Sequence, residues 1–150
     1  MIIGICGLIG SGKDSVADIL VQEKNFKKIS FADKLKDGVA TVFGWDRSML
    51  EGKTSNSRNW REEKDDFWSA ELGKDISPRL VLQLFGTECM RQGFYDGVWV
   101  SLVKKHIIDN PKQNFVIVLV VHGYPQFVNI MRYQHAERLH WVGHVTVLRT

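Results

Sequence analysis

Apolar residues fall along this chain in two alternating rhythms. Ile2 to Cys6 is a short, nearly continuous apolar run rich in β-branched residues, and it stops at Gly7. Such a run predicts a buried central strand. From Lys13 the period becomes helical: Val16, Ala17, Ile19 and Leu20 share one stripe, with Asp14, Asp18, Gln22 and Glu23 mostly elsewhere. Lys28 to Phe31 predicts a second short strand. Ala32 to Phe43 predicts a helix with Leu35, Val39, Val42 and Phe43 on its apolar side, ended by Gly44. Ser77-Pro78 marks another helix start, because serine caps and proline at the first helical position loses no needed N–H. Leu80, Val81, Leu84 and Phe85 then supply an apolar face. A helix over Trp99 to Ile108 ends before Asn110-Pro111, and Phe115 to Val121 predicts another fully buried strand. Beyond Pro125, Val128 to Glu137 reads as a helix and Leu139 to Leu148 as a strand. Strands separated by helices imply a parallel sheet with helices on both faces.

Trp45 to Gly73 breaks this rhythm. It is dense in charge and aromatics, including Arg47, Lys53, Arg58, Trp60, Arg61, Lys64, Phe67 and Trp68. Glu62 to Leu72 has a helical period, while Gly52 to Asn59 reads as a mobile polar loop. The chain therefore reads as one domain over residues 1–150, with a charged insertion over about 45–73.

Composition narrows the class. Hydrophobic residues make up 44% of the 150 and charged residues 25%, which is enough apolar material for a core. A net charge of +3 with no block of lysine or arginine suits a nucleotide-sized anion and does not call for nucleic acid. Cys6 and Cys89 are far apart and make neither a metal motif nor a disulfide framework, so both read as free thiols. The five histidines form no ligand spacing that argues for a metal. No apolar run is long enough for a bilayer, and the start Met1-Ile2-Ile3 lacks the charge of a leader. The expectation is a cytoplasmic protein with no membrane partner. An assembly of two copies is left open.

The strongest chemical signal is Gly7-Leu8-Ile9-Gly10-Ser11-Gly12-Lys13. The spacing Gly7-x-x-x-x-Gly12-Lys13 is that of a phosphate-binding loop. Gly7, Gly10 and Gly12 let the backbone approach an anion, and successive N–H groups then form a nest for phosphate oxygens. The loop ends at a helix N-terminus, which adds partial positive charge. Lys13 supplies a mobile cation for a transferring phosphoryl group. The motif follows an apolar strand and precedes an amphipathic helix, the context its chemistry requires. The usual hydroxyl residue after the lysine is replaced by Asp14, with Ser15 next. Ser15 would contact phosphate. Asp14 would hold Mg²⁺ through water, or simply favour the helix N-terminus as an acidic first-turn residue.

Several segments together resemble one family. They are Ser11-Gly12-Lys13-Asp14, Ser30-Phe31-Ala32-Asp33-Lys34-Leu35-Lys36, Phe43-Gly44-Trp45-Asp46 and Leu50-Glu51-Gly52. Ser57-Arg58-x-Trp60-Arg61, Ser77-Pro78-Arg79, Leu82-Gln83-x-x-Gly86-Thr87-Glu88 and the run Arg91 to Trp99 follow in the same order. With these pieces the chain resembles the phage-type deoxynucleoside monophosphate kinases over most of residues 1–110. Phosphomevalonate kinases of animal type share the Gly-Lys-Asp loop, so the loop alone selects no substrate. The resemblance implies an α/β P-loop three-layer fold with a helical lid and substrate insertion. It implies phosphorylation of a deoxynucleoside monophosphate to the diphosphate, with ATP and Mg²⁺ as cofactors and small-molecule nucleotides as partners.

Candidate residues follow from phosphoryl-transfer chemistry, which needs positioning and charge neutralisation more than a strong base. A guanidinium fork matches phosphate oxygens. Arg58 and Arg61, three apart, would share a helix face and join Lys13 as the catalytic set, as a lid closing over the reacting groups. The competing account is a solvated face balanced by Glu62, Glu63, Asp65 and Asp66. Arg79, Gln83, Thr87 and Arg91 are spaced by four and would form a polar stripe that binds base or phosphate, or plain surface. Glu88 would hold a substrate hydroxyl or a neighbouring arginine. Asp33 and Lys36 follow the second strand, on the side where open α/β sheets bind ligands. Trp45, Trp60, Phe67 and Trp68 suit base stacking or, more commonly, core packing. The ATP-binding set is then Gly7, Gly10, Ser11, Gly12, Lys13, Asp14 and Ser15, with Asp14 and Ser15 nearest any metal.

One stretch departs from the family. After Phe115 to Val121, such kinases carry an acidic residue, an arginine and an aromatic-Pro-Asn-Glu motif. Here Val121 and Gly123 take the places of the acid and the arginine, and Gln126 and Phe127 those of Asn and Glu. Three accounts stay open: a weakened homologue, substitution by His122 or Arg132, or an imperfectly determined stretch. Such kinases also usually continue past the position of Thr150.

Overall fold

The computed structural model describes residues 1–7, 11–120 and 139–143. The chain divides into two compact units, Met1–Phe31 with Trp99–Thr150, and Ala32–Val98. The second is wider than the 45–73 stretch that charge density marks out.

The first unit is built on a parallel sheet. Its strands are β1 (Ile2–Gly7), β2 (Phe26–Ser30), β3 (Asn114–Val120) and β4 (Leu139–Gly143), in the order β2-β3-β1-β4. Ile5 pairs with Val118, and Ile29 with Ile117. Side chains alternate across β3, as the strand period requires. Phe115 and Ile117 join Ile2, Ile29 and Val103 on one face, with Ile107 packed against them. Val116 and Val118 join Ile5, Ala17 and Phe26 on the other, with Leu20. Val103 and Ile107 lie on one helix, Val98–Asp109, and Ala17 and Leu20 on another, α1 (Lys13–Lys24). Both faces of the sheet are therefore covered, which explains the unbroken apolar run in β3. Burial of a large side chain such as Phe115 contributes about 1.5–3 kcal/mol.

The α1 stripe is narrower than its sequence period predicts. Ala17 is buried and Leu20 partly so, but Val16 and Ile19 are exposed. A narrow seam seats the helix against β1, β2 and β3. β2 starts at Phe26, earlier than Lys28, because Phe26 is itself a buried core residue.

The second unit is helical: α2 (Phe31–Phe43), α3 (Arg47–Glu51), α4 (Ser55–Glu62), α5 (Asp66–Leu72) and α6 (Pro78–Gln83), which continues as a π-helical segment over Leu84–Gln92. The helix Val98–Asp109 is α7. Val39, Leu50, Ile76 and Val81 form the core of this unit, with Phe43, Trp45, Trp60 and Trp68 around them. Two sequence expectations are corrected here. Gly52 to Asn59 is not simply a loop: Thr54 caps α4, its hydroxyl accepting from the Ser57 N–H at 3.1 Å while Ser57 Oγ accepts from the Thr54 N–H. This capping box has serine where glutamate or glutamine is usual, so the common signature is absent. Nor is Glu62 to Leu72 one helix, for Asp65 leaves the helical backbone and caps α5 through the Trp68 N–H at 2.9 Å. Ser77 caps α6 and Pro78 occupies its first turn, as the dipeptide predicts.

Candidate phosphate site

The candidate loop grows from the carboxyl end of β1, the end at which parallel α/β sheets bind ligands. Gly10 and its neighbours Leu8 and Ile9 lie outside the described residues. Gly7 ends β1, and a Cβ added there would collide with the Ser11 hydroxyl. Gly12 stands at the N-cap of α1 with φ of 79°, a backbone that disfavours any side chain. Lys13 opens the helix with its side chain only 8% exposed. A lysine is seldom buried without partners. Ser11, Asp14 and Ser15 are exposed.

A second lysine, Lys28 on β2, enters this arrangement. Its Nζ lies 2.8 Å from Asp14 Oδ1 and 3.1 Å from Asp18 Oδ1, one helical turn further along α1. The Lys13 ammonium lies 3.6 Å from Asp14 Oδ2. Partial burial of Asp14 favours its neutral acid, but the two lysines outweigh this and hold its carboxyl below the usual carboxylate range. Burial likewise opposes the charge on Lys28, and Asp14 and Asp18 more than offset it and raise its pKa. Sequence reasoning missed Lys28. Lys28 stood at the start of the predicted strand, next to Lys27, and nothing in the spacing marked it.

As a direct Mg²⁺ site this donor set fits poorly. Mg²⁺ takes oxygen ligands in a tight octahedron. Here both oxygens of Asp14 face ammonium groups, and no group of three or more His, Cys, Asp or Glu is gathered among the described residues.

The remaining candidates lie in the helical unit. Lys36 on α2 is ion-paired with Glu51 at 3.0 Å. Asp33 lies 3.8 Å from Arg47 Nη2. Arg47 also donates to Asp37 at 2.8 Å and to Glu51. Burial, the largest single influence, works against charge on Glu51, yet Arg47 and Lys36 together pull it down to about 2. This network joins α2 to α3 and was not visible from spacing.

Arg58 and Arg61 both lie on α4 but differ in setting. Arg58 is exposed and donates to two neutral oxygens, Lys53 O at 3.0 Å and Ser55 Oγ at 3.1 Å. Arg61 is half-buried and reaches Leu50 O at 3.5 Å, with its guanidinium packed on the backbone of Gly52. Its Nε is buried without a hydrogen-bond partner.

The stripe of Arg79, Gln83, Thr87 and Arg91 is not a uniform four-residue ladder. After Gln83 the backbone bonds shift to i→i+5, as in Gly93 N–H donating to Glu88 O at 2.9 Å. Arg79 pairs with Glu62 at 3.2 Å, and Arg91 with Asp96 at 2.6 Å. Gln83 and Glu88 are exposed and Thr87 is half-buried. The aromatics belong mainly to the core: Phe43 stacks on Trp45 at 4.9 Å, and Trp45 meets Trp60 edge-on at 5.9 Å. Phe67 remains 64% exposed. The departing stretch 121–127, with His122 and the more distant Arg132, lies outside the described residues.

Over 104 residues the chain is 31% identical to a protein of Acanthamoeba polyphaga mimivirus named "Putative deoxynucleotide monophosphate kinase". The match covers 69% of this chain and 49% of that protein, so the chain spans about half the length of the curated relative it matches. No protein-family model matches the chain. Among the described residues no helix is long and apolar enough to cross a membrane.

Proposed function

We propose that this chain transfers the γ-phosphoryl group of ATP to a deoxynucleoside monophosphate, forming the diphosphate. The observation that carries the reading is Lys13, nearly buried at the head of α1 behind a left-handed Gly12. That is where a lysine can meet phosphate oxygens together with loop amides. The similarity to a viral protein named as a nucleotide kinase supports the same reading. Mg²⁺ enters it as the counter-ion of the nucleotide's phosphates. Among the arginines, Arg58 best suits the acceptor phosphate. Its guanidinium is exposed and bonded only to neutral oxygens, whereas Arg79 and Arg91 are already ion-paired.

The test is ADP release from ATP and Mg²⁺, with and without each of the four deoxynucleoside monophosphates. Release that depends on one acceptor and falls about 10²–10³-fold in Lys13→Ala is the expected result, the loss typical of removing one preorganised charge-stabilising donor. A second reading is a nucleotide-binding module without catalysis. The replacement of a carboxylate and an arginine by Val121 and Gly123 favours it. ATP binding with no acceptor-dependent release would select that alternative.

A further inference from the structure

We infer that Lys28 is a positioning residue of the phosphate loop: it holds the Asp14 carboxylate, so that Asp14 balances Lys13 instead of coordinating Mg²⁺. The inference rests on the reading of Lys13 as a phosphate ligand.

Three observations carry it. Lys28 is nearer to Asp14 than Lys13 is, 2.8 Å against 3.6 Å, so the carboxylate is shared and drawn toward β2. Lys28 also reaches Asp18, which anchors its ammonium across the first two turns of α1. Its own side chain is 26% exposed, while Asp14 is 60% exposed, so the lysine is the better-fixed member of the pair. The four groups Lys13, Asp14, Asp18 and Lys28 carry no net charge. Removal of Lys28 leaves Asp14 and Asp18 beside Lys13, so the cluster turns net negative and loses its attraction for phosphate. Removal of the Asp14 charge does the opposite, leaving two ammonium groups against Asp18 and a net charge of +1.

Opposite signs separate this role from simple structural support and from metal binding. ATP affinity is measured by calorimetry, first with ATP alone in a chelator and then across a Mg²⁺ series, with folding checked by thermal melts. Lys28→Met weakens binding of ATP alone about fivefold, the effect of one unit charge at several ångströms in partly screened surroundings. Lys28→Arg restores it to within about twofold, since a guanidinium can span the same two carboxylates. Asp14→Asn tightens ATP alone about fivefold and leaves the half-saturating Mg²⁺ concentration unchanged. If Lys28→Met folds and binds ATP as the parent does, the inference is wrong. It is equally wrong if Asp14→Asn raises the Mg²⁺ requirement or fails to tighten ATP, an arm that decides even where Lys28→Met does not fold. Lys13→Ala tells the two failures apart. Unchanged ATP affinity in that variant removes the phosphate-loop reading itself, whereas its loss beside an unaffected Lys28→Met removes only the role of Lys28.

Discussion

Two charge clusters, one in each unit, use the same residue types to opposite ends. Around Asp14 the acids are open to water: the side chains of Asp14 and Asp18 are 60% and 58% exposed. Around Glu51 the shared carboxylate is less open, for Glu51 is 25% exposed and its partner Lys36 only 14%, although Asp33 and Asp37 at the edge of that network are 39% and 47% exposed. Exposed ion pairs are weak because water and salt screen them, so a ligand with more charge can reorganise them. Partly buried pairs with several partners hold elements together, and breaking one member leaves the other unsatisfied. On the proposed reading the first cluster belongs to the site, while the ion pairs of the second, in which the expected substrate residues Asp33 and Lys36 take part, also join α2 to α3.

The widest separation between scaffold and site comes from the core beneath the second cluster. Leu50, next to Glu51 in the chain, is fully buried within the helical core. Leu50→Ala should cost about 3 kcal/mol, because a fully enclosed leucine loses both transfer energy and packing. Chemical denaturation followed by tryptophan fluorescence reads this, since three of the five tryptophans, Trp45, Trp60 and Trp68, lie around that core. A loss under 1 kcal/mol would mean that this core collapses around the gap and is not the rigid support described.

A smaller effect divides the two arginines of α4. Arg61→Ala removes packing on Gly52 and a long bond to the Leu50 carbonyl, and should cost about 1–2 kcal/mol. The orphaned Nε keeps this toward the lower end, since its desolvation disappears with it. Arg58→Ala should change stability by less than about 0.5 kcal/mol, as exposed surface substitutions do. Its expected signature is instead a raised KM for the acceptor. Equal melting temperatures for the two variants would erase the distinction between clamp and ligand arginine.

How legible these roles are in the sequence follows the range of the interactions. The candidate phosphate loop is local: glycines, lysine and helix start lie within seven residues, and the strand before them is marked by its own apolar run. The start of α6 at Ser77-Pro78 is local too, and the structure has both residues where capping chemistry puts them. Lys28 was not legible, because its partners Asp14 and Asp18 meet it only when β2 lies beside α1. The Arg47 network was hidden for the same reason, its acids coming from both α2 and α3. Thr54 as a cap was hidden by chemistry instead, since a serine at the third position does the work usually done by glutamate. The four-residue polar stripe assumed an α-helix, and the backbone after Gln83 follows a different bonding pattern that residue spacing does not reveal.

The pH dependence of the Glu51 scaffold is comparable in size to the Arg61 effect and is specific to charge. The Glu51 carboxyl is pulled to about 2 from an ordinary 4.5, so the folded state binds its proton less readily than the unfolded state. A lowered folded pKa gives stability that is fully present above about 4.5 and is lost as pH falls toward 2. Because a quarter of the side chain meets water, screening reduces its worth to about 1–2 kcal/mol. Glu51→Gln removes the titrating group while keeping the shape. Stability of the parent and the variant should therefore differ most at pH 5 to 6 and converge as the pH approaches 2, in urea titrations at fixed ionic strength. A constant difference across that range would show that the carboxylate charge is not what joins α2 to α3, and the contrast with the open Asp14 cluster would lose its basis.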